Sequence, residues 1–520
     1  MNASWEGSPL PAGSRPELPL GLVVAATLLF LYALLFTWPF VPLASGFDGS
    51  ILVTDGLRLS RGELPYRDFF EFLTPGTALI FALLIKALGT RLWIPVTTLL
   101  LVNAAVAVTG VMIARKMMRP SLAILVGAIF LEGVCKNLLN PTHHWFSMLA
   151  ANLSILVLIE RRTLARIAAA GAFAGLAACI TQARGVAVAA GLMVFLWWES
   201  RQRKETGDEL RGKLFSLGAG FVAVVLGVNA YFIWKAGLYR FLWCTVWYGV
   251  KYFPQQSDDN TFRVLAWSLS SSLGHSPGDF AHWVLIHAVL PSVPLIFVVR
   301  YWRRSDQKPL EFWRRPMLVA IVGLSMLASV APSPSPPRMA SSAMPGLILL
   351  GWLLDSPRQL ARGIAAVLAV GILLGVPYSA FRAQKAPKTI VTDPLGEFAS
   401  ASPGEAEEYR WIVQHTRPGE FFFAALDPNV YFYLGLRNPS PLPFLTNNGY
   451  TTTQQVAEVI RGLEQHQPQY IFWPHQDREG IPAWENPSDD HLGPLRDYRR
   501  VHYRVVKTFD NYDEIWERSD

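Results

Sequence analysis

Long uncharged apolar runs constrain the fold of this 520-residue chain more than any other feature. The runs 20–41, 218–231 and 364–376 contain no Asp, Glu, Lys or Arg. About twenty consecutive apolar residues cross a bilayer, whose hydrocarbon core is about 30 Å thick. Only 16% of the residues are charged, whereas soluble domains carry about 25%. We therefore predict a polytopic α-helical membrane protein.

The apolar segments predict about eleven spans, because each is bounded by polar or turn-forming residues. The predicted spans are 20–41, 92–114, 120–134, 145–160, 164–180, 185–199, 214–234, 283–301, 316–331, 343–355 and 360–378.

The net charge of +7 is explained by five basic clusters between these segments. Excess Lys and Arg in short loops marks the cytoplasmic side of a membrane protein. If the N-terminal tail 1–19 is cytoplasmic, all five clusters are cytoplasmic too, and the first loop, residues 42–91, lies outside. The basicity therefore indicates topology rather than nucleic-acid binding. The clusters are 115–119, 161–166, 201–213, 303–315 and 358–362.

The composition changes after the last span. Residues 20–378 form the predicted membrane domain, and 379–520 form a soluble tail that the alternation places outside. Ser402 and Glu405 have the spacing of a helix N-terminal capping box. Strands and a helix that follow one another predict a small C-terminal α/β domain of ordinary size. The predicted strands are 421–425, 470–473 and 504–509, and the predicted helix is 456–465.

The first outer loop concentrates ionisable residues beside the lipid boundary. Charge in such a position suggests chemistry or ion binding. A further helix is predicted within this loop, from Pro75 to Leu88. The acidic residues of the loop are Asp48, Asp55, Glu63, Asp68 and Glu71, and the arginines are Arg58, Arg61 and Arg67.

The pattern of this loop resembles the polytopic GT-C glycosyltransferases, specifically the bacterial group similar to protein mannosyltransferases and aminoarabinose transferases (GT39 and GT83 types). Asp48 lies fourteen residues before the stretch Gly62-Glu63-Leu64-Pro65-Tyr66-Arg67-Asp68-Phe69-Phe70, and Thr74-Pro75-Gly76 follows. The chain has Asp48-Gly49 where the best-known branch has Asp-Glu, and Leu73 where that branch often has Lys. Further similar segments are 171–177 before Gln182, Arg338 with Pro345, 411–420 and 435–437.

The resemblance implies about 11–13 transmembrane helices and a reaction. A sugar would leave a polyprenyl-phosphate carrier and join an acceptor hydroxyl with inversion. The acceptor would be a lipid, a glycan or a protein, and the other partners are membrane lipids rather than nucleic acid. The site and the tail would face outward from a multi-pass protein of the bacterial inner membrane.

Asp48 matches the catalytic aspartate of the family, and a partly desolvated carboxylate suits a general base. Arginine can grip a leaving phosphate with two parallel hydrogen bonds. No cofactor is expected, because the sequence shows no compact metal-ligand set, although a divalent metal is compatible with the reaction. The predicted phosphate-binding residues are Arg338, Arg184, Arg67 and Lys136, and the predicted substrate-binding residues are Asp55, Tyr66, Asp68, His143, His144 and Gln182.

Structural roles compete with these assignments. Asp48 is also suited to cap the N-terminus of a helix, and Arg338 to reach lipid headgroups. Arg67 and Asp68 also suit a paired turn. His143 and His144 are adjacent in sequence, so they point to different helix faces and favour a structural or interfacial role. The aromatic residues of loop 235–282 fit a membrane-interface belt or a wall for a sugar.

Two other functional classes remain open from the sequence. A transporter or lipid flippase would carry ionisable or helix-breaking residues at mid-membrane depth, often in paired halves, and the predicted spans have few. A membrane scaffold would bind partners through its tail, and it leaves the clustered charge of the first loop unexplained.

Overall fold

The computed structural model describes residues 20–44, 46–256, 260–425, 427–474 and 490–519. Its helical bundle has a helix at each of the eleven predicted spans. Two of these helices contain a π-helical turn, at Phe130–Cys135 and Leu285–Val289. The helices are Leu20–Leu35, Ile94–Ala114, Pro120–Ile129, His143–Leu158, Leu164–Ile180, Gln182–Arg203, Gly207–Ala236, Pro277–Val284 continuing into Leu290–Arg304, Leu310–Val330, Ala343–Leu354 and Gln359–Lys385.

Five of the helices are long and apolar enough to cross a membrane by length and composition. Gln359–Lys385 contains no buried residue, although it is strongly apolar. A helix whose apolar surface is not covered by protein is stable when lipid covers it. The architecture is therefore that of an integral membrane protein. The five are Ile94–Ala114, Gly207–Ala236, Pro277–Gln307, Leu310–Val330 and Gln359–Lys385.

The basic loops meet at one end of the bundle, which we call the basic end. Lys116 pairs with Glu160 at 2.6 Å, and Arg119 pairs with Asp355 at 2.6 Å. Glu199, 2% exposed, is the most buried carboxylate there. It faces three guanidinium groups at 3.3 to 3.8 Å, from Arg162, Arg203 and Arg314.

The first loop and the long connections lie at the opposite end, which we call the site end. A short hairpin pairs Phe36–Thr37 with Val41–Pro42. Two helices follow, Phe47–Ser60 and Gly76–Leu88, and the second confirms the helix predicted from Pro75 to Leu88. Shorter helices connect the later spans: Leu238–Leu242, Trp243–Trp247 (π), Tyr248–Lys251, Phe253–Gln255 (3₁₀), Val264–His275 and Pro336–Ala340.

The tail is a small α/β domain. Its main sheet has four strands in the order Phe423–Ala424, Tyr470–Trp473, Glu514–Arg518, Tyr503–Thr508. The first pair is parallel and the others are antiparallel. A hairpin of Thr389–Asp393 and Gly396–Ser400 precedes the sheet. The helices are Pro403–His415, Asn429–Tyr433, Thr453–His466 and Gly493–His502.

The N-terminus of helix Pro403–His415 matches the sequence prediction in part. The Ser402 hydroxyl accepts a hydrogen bond from the Glu405 backbone N–H at 3.3 Å, as a capping residue does. The Glu405 carboxylate accepts from the Ser400 hydroxyl at 2.6 Å. The Ser402 N–H donates to the Ser400 hydroxyl at 3.1 Å. In a capping box, the Glu405 carboxylate would accept a hydrogen bond from the Ser402 N–H. Here both of these groups bond to the Ser400 hydroxyl instead.

A buried carboxyl in this helix makes the stability of the tail depend on pH. Glu408 is 5% exposed, and its partner is the Asn511 amide at 2.8 Å. Burial, with the Asp513 and Asp427 carboxylates nearby, raises the pKa of Glu408 to about 8. In the unfolded chain this group ionises near its ordinary pKa of 4.5. The neutral form of Glu408 therefore stabilises the fold. This contribution to the free energy of unfolding is fully present below pH 4.5 and is lost as the pH rises through about 8.

We predict that Glu408→Gln raises the melting temperature at pH 9 much more than at pH 5, because the amide has no charge to bury. The measurement is thermal unfolding of the detergent-solubilised protein across this range. Glu407→Gln is the matched control, since Glu407 is exposed and pairs with Lys507 at 3.1 Å. Equal pH profiles for wild type and Glu408→Gln would contradict the assignment.

Candidate functional site

A cavity of about 820 Å³ lies at the site end, between the first loop, the bundle and the tail. Its wall is formed by the start of helix Phe47–Ser60 and by residues 70–73. The N-termini of two bundle helices, His143–Leu158 and Gln182–Arg203, also reach it. The tail closes it with residues including Leu442, Phe444 and Tyr450.

Asp48 lines this cavity from the first turn of helix Phe47–Ser60. The helix is capped by Gly46, without a side-chain hydrogen bond, so the expectation that Asp48 caps the helix is wrong. A carboxylate in the first turn is favoured by the partial positive charge of the helix N-terminus. Tyr450 lies nearby. Burial first, then the negative charges of Glu71 and Asp48, raise the pKa of its hydroxyl above the ordinary value.

Gly49 packs tightly against the turn formed by Asn140 and Pro141. A Cβ atom at this position would lie 2.1 Å from Asn140 Oδ1 and 2.5 Å from Pro141 Cδ. The helix therefore approaches the Asn140-Pro141 turn so closely that only glycine fits. A glutamate side chain at position 49 is incompatible with this packing.

A second carboxylate of the cavity comes from Glu71, which is 5% exposed and lines the wall. It accepts a hydrogen bond from the Leu73 N–H at 2.7 Å. Behind it lies Asp55, 1% exposed, whose Oδ2 has no hydrogen-bond donor within the described part of the chain. Burial, then the charge of Glu71 and a contact with it, raise the pKa of Asp55 well above its ordinary range.

Two of the predicted cations line the cavity. Arg338, on the short helix Pro336–Ala340, donates to Ser333 and to Asn260 Oδ1 at 2.9 Å. Its guanidinium lies 5.2 Å from the ring centroid of Phe253. Arg184 is 1% exposed and donates to the backbone oxygens of Ser341 at 2.7 Å and Arg338 at 3.4 Å. Arg184 therefore contacts the backbone of Arg338, and both side chains lie on the same wall of the cavity.

The histidines and Gln182 also line the cavity. The rings of His143 and His144 lie 4.0 Å apart, and the buried Nδ1 of His144 has no partner in the described ranges. Gln182 donates to the backbone oxygens of Phe72 at 2.8 Å and Thr245 at 3.1 Å. Gln182 thus ties the first loop to the connection after helix Gly207–Ala236.

Five predicted site residues lie outside the cavity lining, and one of them is Asp55, the buried residue beside Glu71. Arg67 and Asp68 pair with each other at 2.7 Å, as the competing turn interpretation describes. The buried Tyr66 has a φ of +69° and donates its hydroxyl to the Leu73 oxygen at 2.6 Å, so it shapes the loop. Lys136 pairs with Glu132 and contacts Ser379 at 3.0 Å, which links two bundle helices.

The sequence interpretation missed Glu71 as a site residue and missed the contribution of the tail. Phe444, Tyr450, Thr451 and Gln455 line the cavity, although no motif marks them. A signal was present for Glu71, because it is an acidic residue within the apolar stretch 69–73.

Some aromatic residues of loop 235–282 line the cavity, and others are placed for a membrane-interface belt. Tyr248 and Phe253 line the cavity. Trp247 is 60% exposed, as expected at a membrane interface.

Within the described residues, no group of three or more His, Cys, Asp or Glu side chains has the geometry of a metal site. The expectations about cofactors and metals therefore stay predictions.

These features define a class: an integral membrane protein with a small α/β domain over a cavity that contains carboxylates and arginines. No family model and no curated protein matches the sequence. Solved structures do match the fold. ArnT from Cupriavidus metallidurans, bound to undecaprenyl phosphate, has a TM-score of 0.59 at 13% identity, over 96% of this chain and 97% of ArnT.

Two further structures share the fold. The oligosaccharyltransferase of Archaeoglobus fulgidus, in its apo form, has a TM-score of 0.50 at 11% identity, over 95% of this chain and 80% of its own. The mycobacterial arabinofuranosyltransferase AftD has a TM-score of 0.50 at 12% identity, over 98% of this chain but 40% of AftD. The chain therefore shares the fold of these three structures, in agreement with the GT-C-like fold predicted from the sequence.

We predict that Gly49→Ala destabilises the protein by about 1–3 kcal/mol, the usual cost of overpacking, because its Cβ overlaps Asn140 and Pro141. Thermal unfolding in detergent measures this. Gly218→Ala is the matched control, since a Cβ there meets nothing within 4 Å. Similar melting temperatures for both variants would show that the helix does not pack against the turn as described.

Proposed function

We propose that this protein is a membrane glycosyltransferase that moves a sugar from a polyprenyl-phosphate-linked donor to an acceptor hydroxyl. One observation carries the proposal. A cavity in a chain of GT-C fold brings Asp48 and Glu71 together with Arg184 and Arg338. Carboxylates serve proton removal, and guanidinium groups serve phosphate binding, so the cavity holds both parts that the reaction needs.

The roles follow from the chemistry. Asp48 accepts the proton of the acceptor hydroxyl as its oxygen attacks the anomeric carbon. The bond from that carbon to the phosphate oxygen breaks on the opposite face, so the configuration inverts. Arg338 and Arg184 stabilise the charge that develops on the departing phosphate, as preorganised donors do in a site that excludes water.

The side of the membrane is part of the proposal. The basic loops meet at the end opposite the cavity, and such loops face the cytoplasm. We therefore place the cavity and the tail at the extracytoplasmic face, in a bacterial inner membrane. The acceptor is a lipid, glycan or protein that presents a hydroxyl at this face.

We predict that Asp48→Asn lowers transfer by about 10²–10⁴-fold, the range for loss of a general base. The lipid-linked donor accumulates in cells as a result. Mass spectrometry of lipid-linked sugars and envelope glycans measures both effects. Asp208→Asn is the control, because Asp208 lies at the basic end with its side chain 91% exposed. Unchanged glycans and no accumulation in a folded Asp48→Asn protein would refute the base assignment and favour a transporter.

We predict that Arg338→Ala weakens binding of a C55 polyprenyl phosphate by about tenfold or more, because a hydrogen bond to a charged group contributes about 1.5–3 kcal/mol. Tryptophan fluorescence titration in detergent measures the affinity. Arg338→Lys is expected to restore only part of it, since an ammonium lacks the planar fork of arginine. Arg362→Ala, on the exposed surface of the last span, is the control. Equal affinities for Arg338→Ala and the control would contradict the assignment.

A further inference from the structure

A second cleft, of about 410 Å³, lies beside the main cavity, where the first loop meets the connection at residue 240 and the tail. Phe70 lines both spaces. Its backbone N–H donates to the Pro441 oxygen at 2.9 Å. Pro441 faces the cleft, and its neighbour Leu442 faces the cavity. The partition between the two spaces is therefore a single layer of residues.

The cleft is rich in arginine. Five guanidinium groups line it, against three carboxylates. Arg58 pairs with Glu63, and Arg67 pairs with Asp68, each at 2.7 Å. The other three arginines have no carboxylate within 4.0 Å in the described part of the chain. They are Arg240, Arg437 and Arg461.

These three side chains keep most of their donors available. Arg240 donates its Nε–H to the Tyr66 oxygen at 3.2 Å, and Arg461 donates its Nε–H to the Ala457 oxygen at 3.4 Å. The terminal nitrogens of both groups have no hydrogen-bond partner among the described residues. Arg437 lies over the ring of Phe421 at 4.5 Å. Three unpaired forks around one cleft are an arrangement that binds an oxyanion.

The wall of the cleft is held by specific side-chain contacts. Arg58, 9% exposed, donates from Nη1 to the Ser440 oxygen at 3.0 Å and lies 4.5 Å from the ring centroid of Phe69. Phe421 stacks on His466 with ring centroids 4.1 Å apart. These contacts hold the wall of the cleft in place around its arginine side chains.

We propose that this cleft binds an anionic saccharide portion of the acceptor, through a carboxylate or a phosphate on the sugar. This inference rests on the proposed function. A bound saccharide lies one side chain from the catalytic cavity, so a chain of several sugars can keep its acidic group on Arg240, Arg437 and Arg461. Its acceptor hydroxyl then passes around Phe70 toward Asp48.

The test is binding of defined oligosaccharides to the full-length detergent-solubilised protein by isothermal titration calorimetry. The probes are a tetragalacturonate, a phosphorylated mannotetraose and neutral maltotetraose. We expect at least one anionic probe to bind tenfold or more tightly than the neutral probe. The preferred probe distinguishes a carboxylate from a phosphate. Equal binding of all three, or no binding, would overturn the proposal.

Variants locate the binding. Arg437→Gln combined with Arg461→Gln is expected to abolish the preference, and the double Lys variant is expected to keep part of it. Arg417→Gln is the control, because Arg417 is exposed on the tail outside the cleft lining. Each variant is first shown to have a melting temperature close to that of the wild type. If the double Gln variant is unstable, Arg240→Gln is used in its place. The same loss in Arg417→Gln would overturn the assignment.

The two proposals fail separately. Asp48→Asn is expected to lose transfer and retain binding of the anionic probe. If the probe does not bind while Asp48→Asn blocks transfer, the cleft proposal alone is wrong. If the probe binds while Asp48→Asn transfers as the wild type does, the base assignment is wrong and the cleft remains.

Discussion

The packing of helix Phe47–Ser60 against the tail positions the cavity and the residues that line it at the site end. Three residues spaced by four along this helix hold the tail. Ser50 donates to the Asn429 amide oxygen, Thr54 donates to the Pro428 oxygen at 3.3 Å, and Arg58 donates to the Ser440 oxygen at 3.0 Å. Residues four apart lie on one face of a helix, so the stripe faces the tail and leaves Asp48 at the cavity.

Apolar packing reinforces this contact. Leu52, Val53 and Leu57 of the helix share a buried core with the tail, including Val430 and Phe432. The loop and the domain therefore fold as one body, although about 370 residues separate their contacts in sequence. The hydrophobic contribution to stability grows with the apolar area removed from water. This core therefore holds the hydrogen bonds of Ser50, Thr54 and Arg58 in place.

Ionisable side chains are buried in and around the cavity, among them Asp55, Glu71 and Arg184. A buried ionised carboxylate is costly unless it is paired. Asp55 meets this constraint through its neutral form, which burial and the neighbouring Glu71 favour by raising the pKa of Asp55. Arg184 meets it through backbone oxygens instead. The polar groups around Asp48 are thus held by the protein before any substrate binds.

The sequence predicted the bundle well, because apolar spans of about twenty residues have few alternatives in a membrane chain. It also predicted the strand Tyr470–Trp473, whose run of buried aromatic and aliphatic residues is distinctive. It did not predict Glu514–Arg518, where charged residues flank the apolar Ile515 and Trp516. Which first-loop residues face the cavity depends on long-range packing, so the sequence could not show that Arg67 pairs with Asp68 outside the cavity lining.

The position of strand Glu514–Arg518 has a consequence for biogenesis. This strand comes last in chain order, yet it lies inside the sheet, between Tyr470–Trp473 and Tyr503–Thr508. The sheet cannot close until that strand has been synthesised, and the tail that carries Phe444 and Tyr450 folds around the sheet. The spans can insert one after another while the chain grows, but the tail can close the cavity only after Glu514–Arg518 has been synthesised. In a nascent protein the site is thereby open until that strand has joined the sheet.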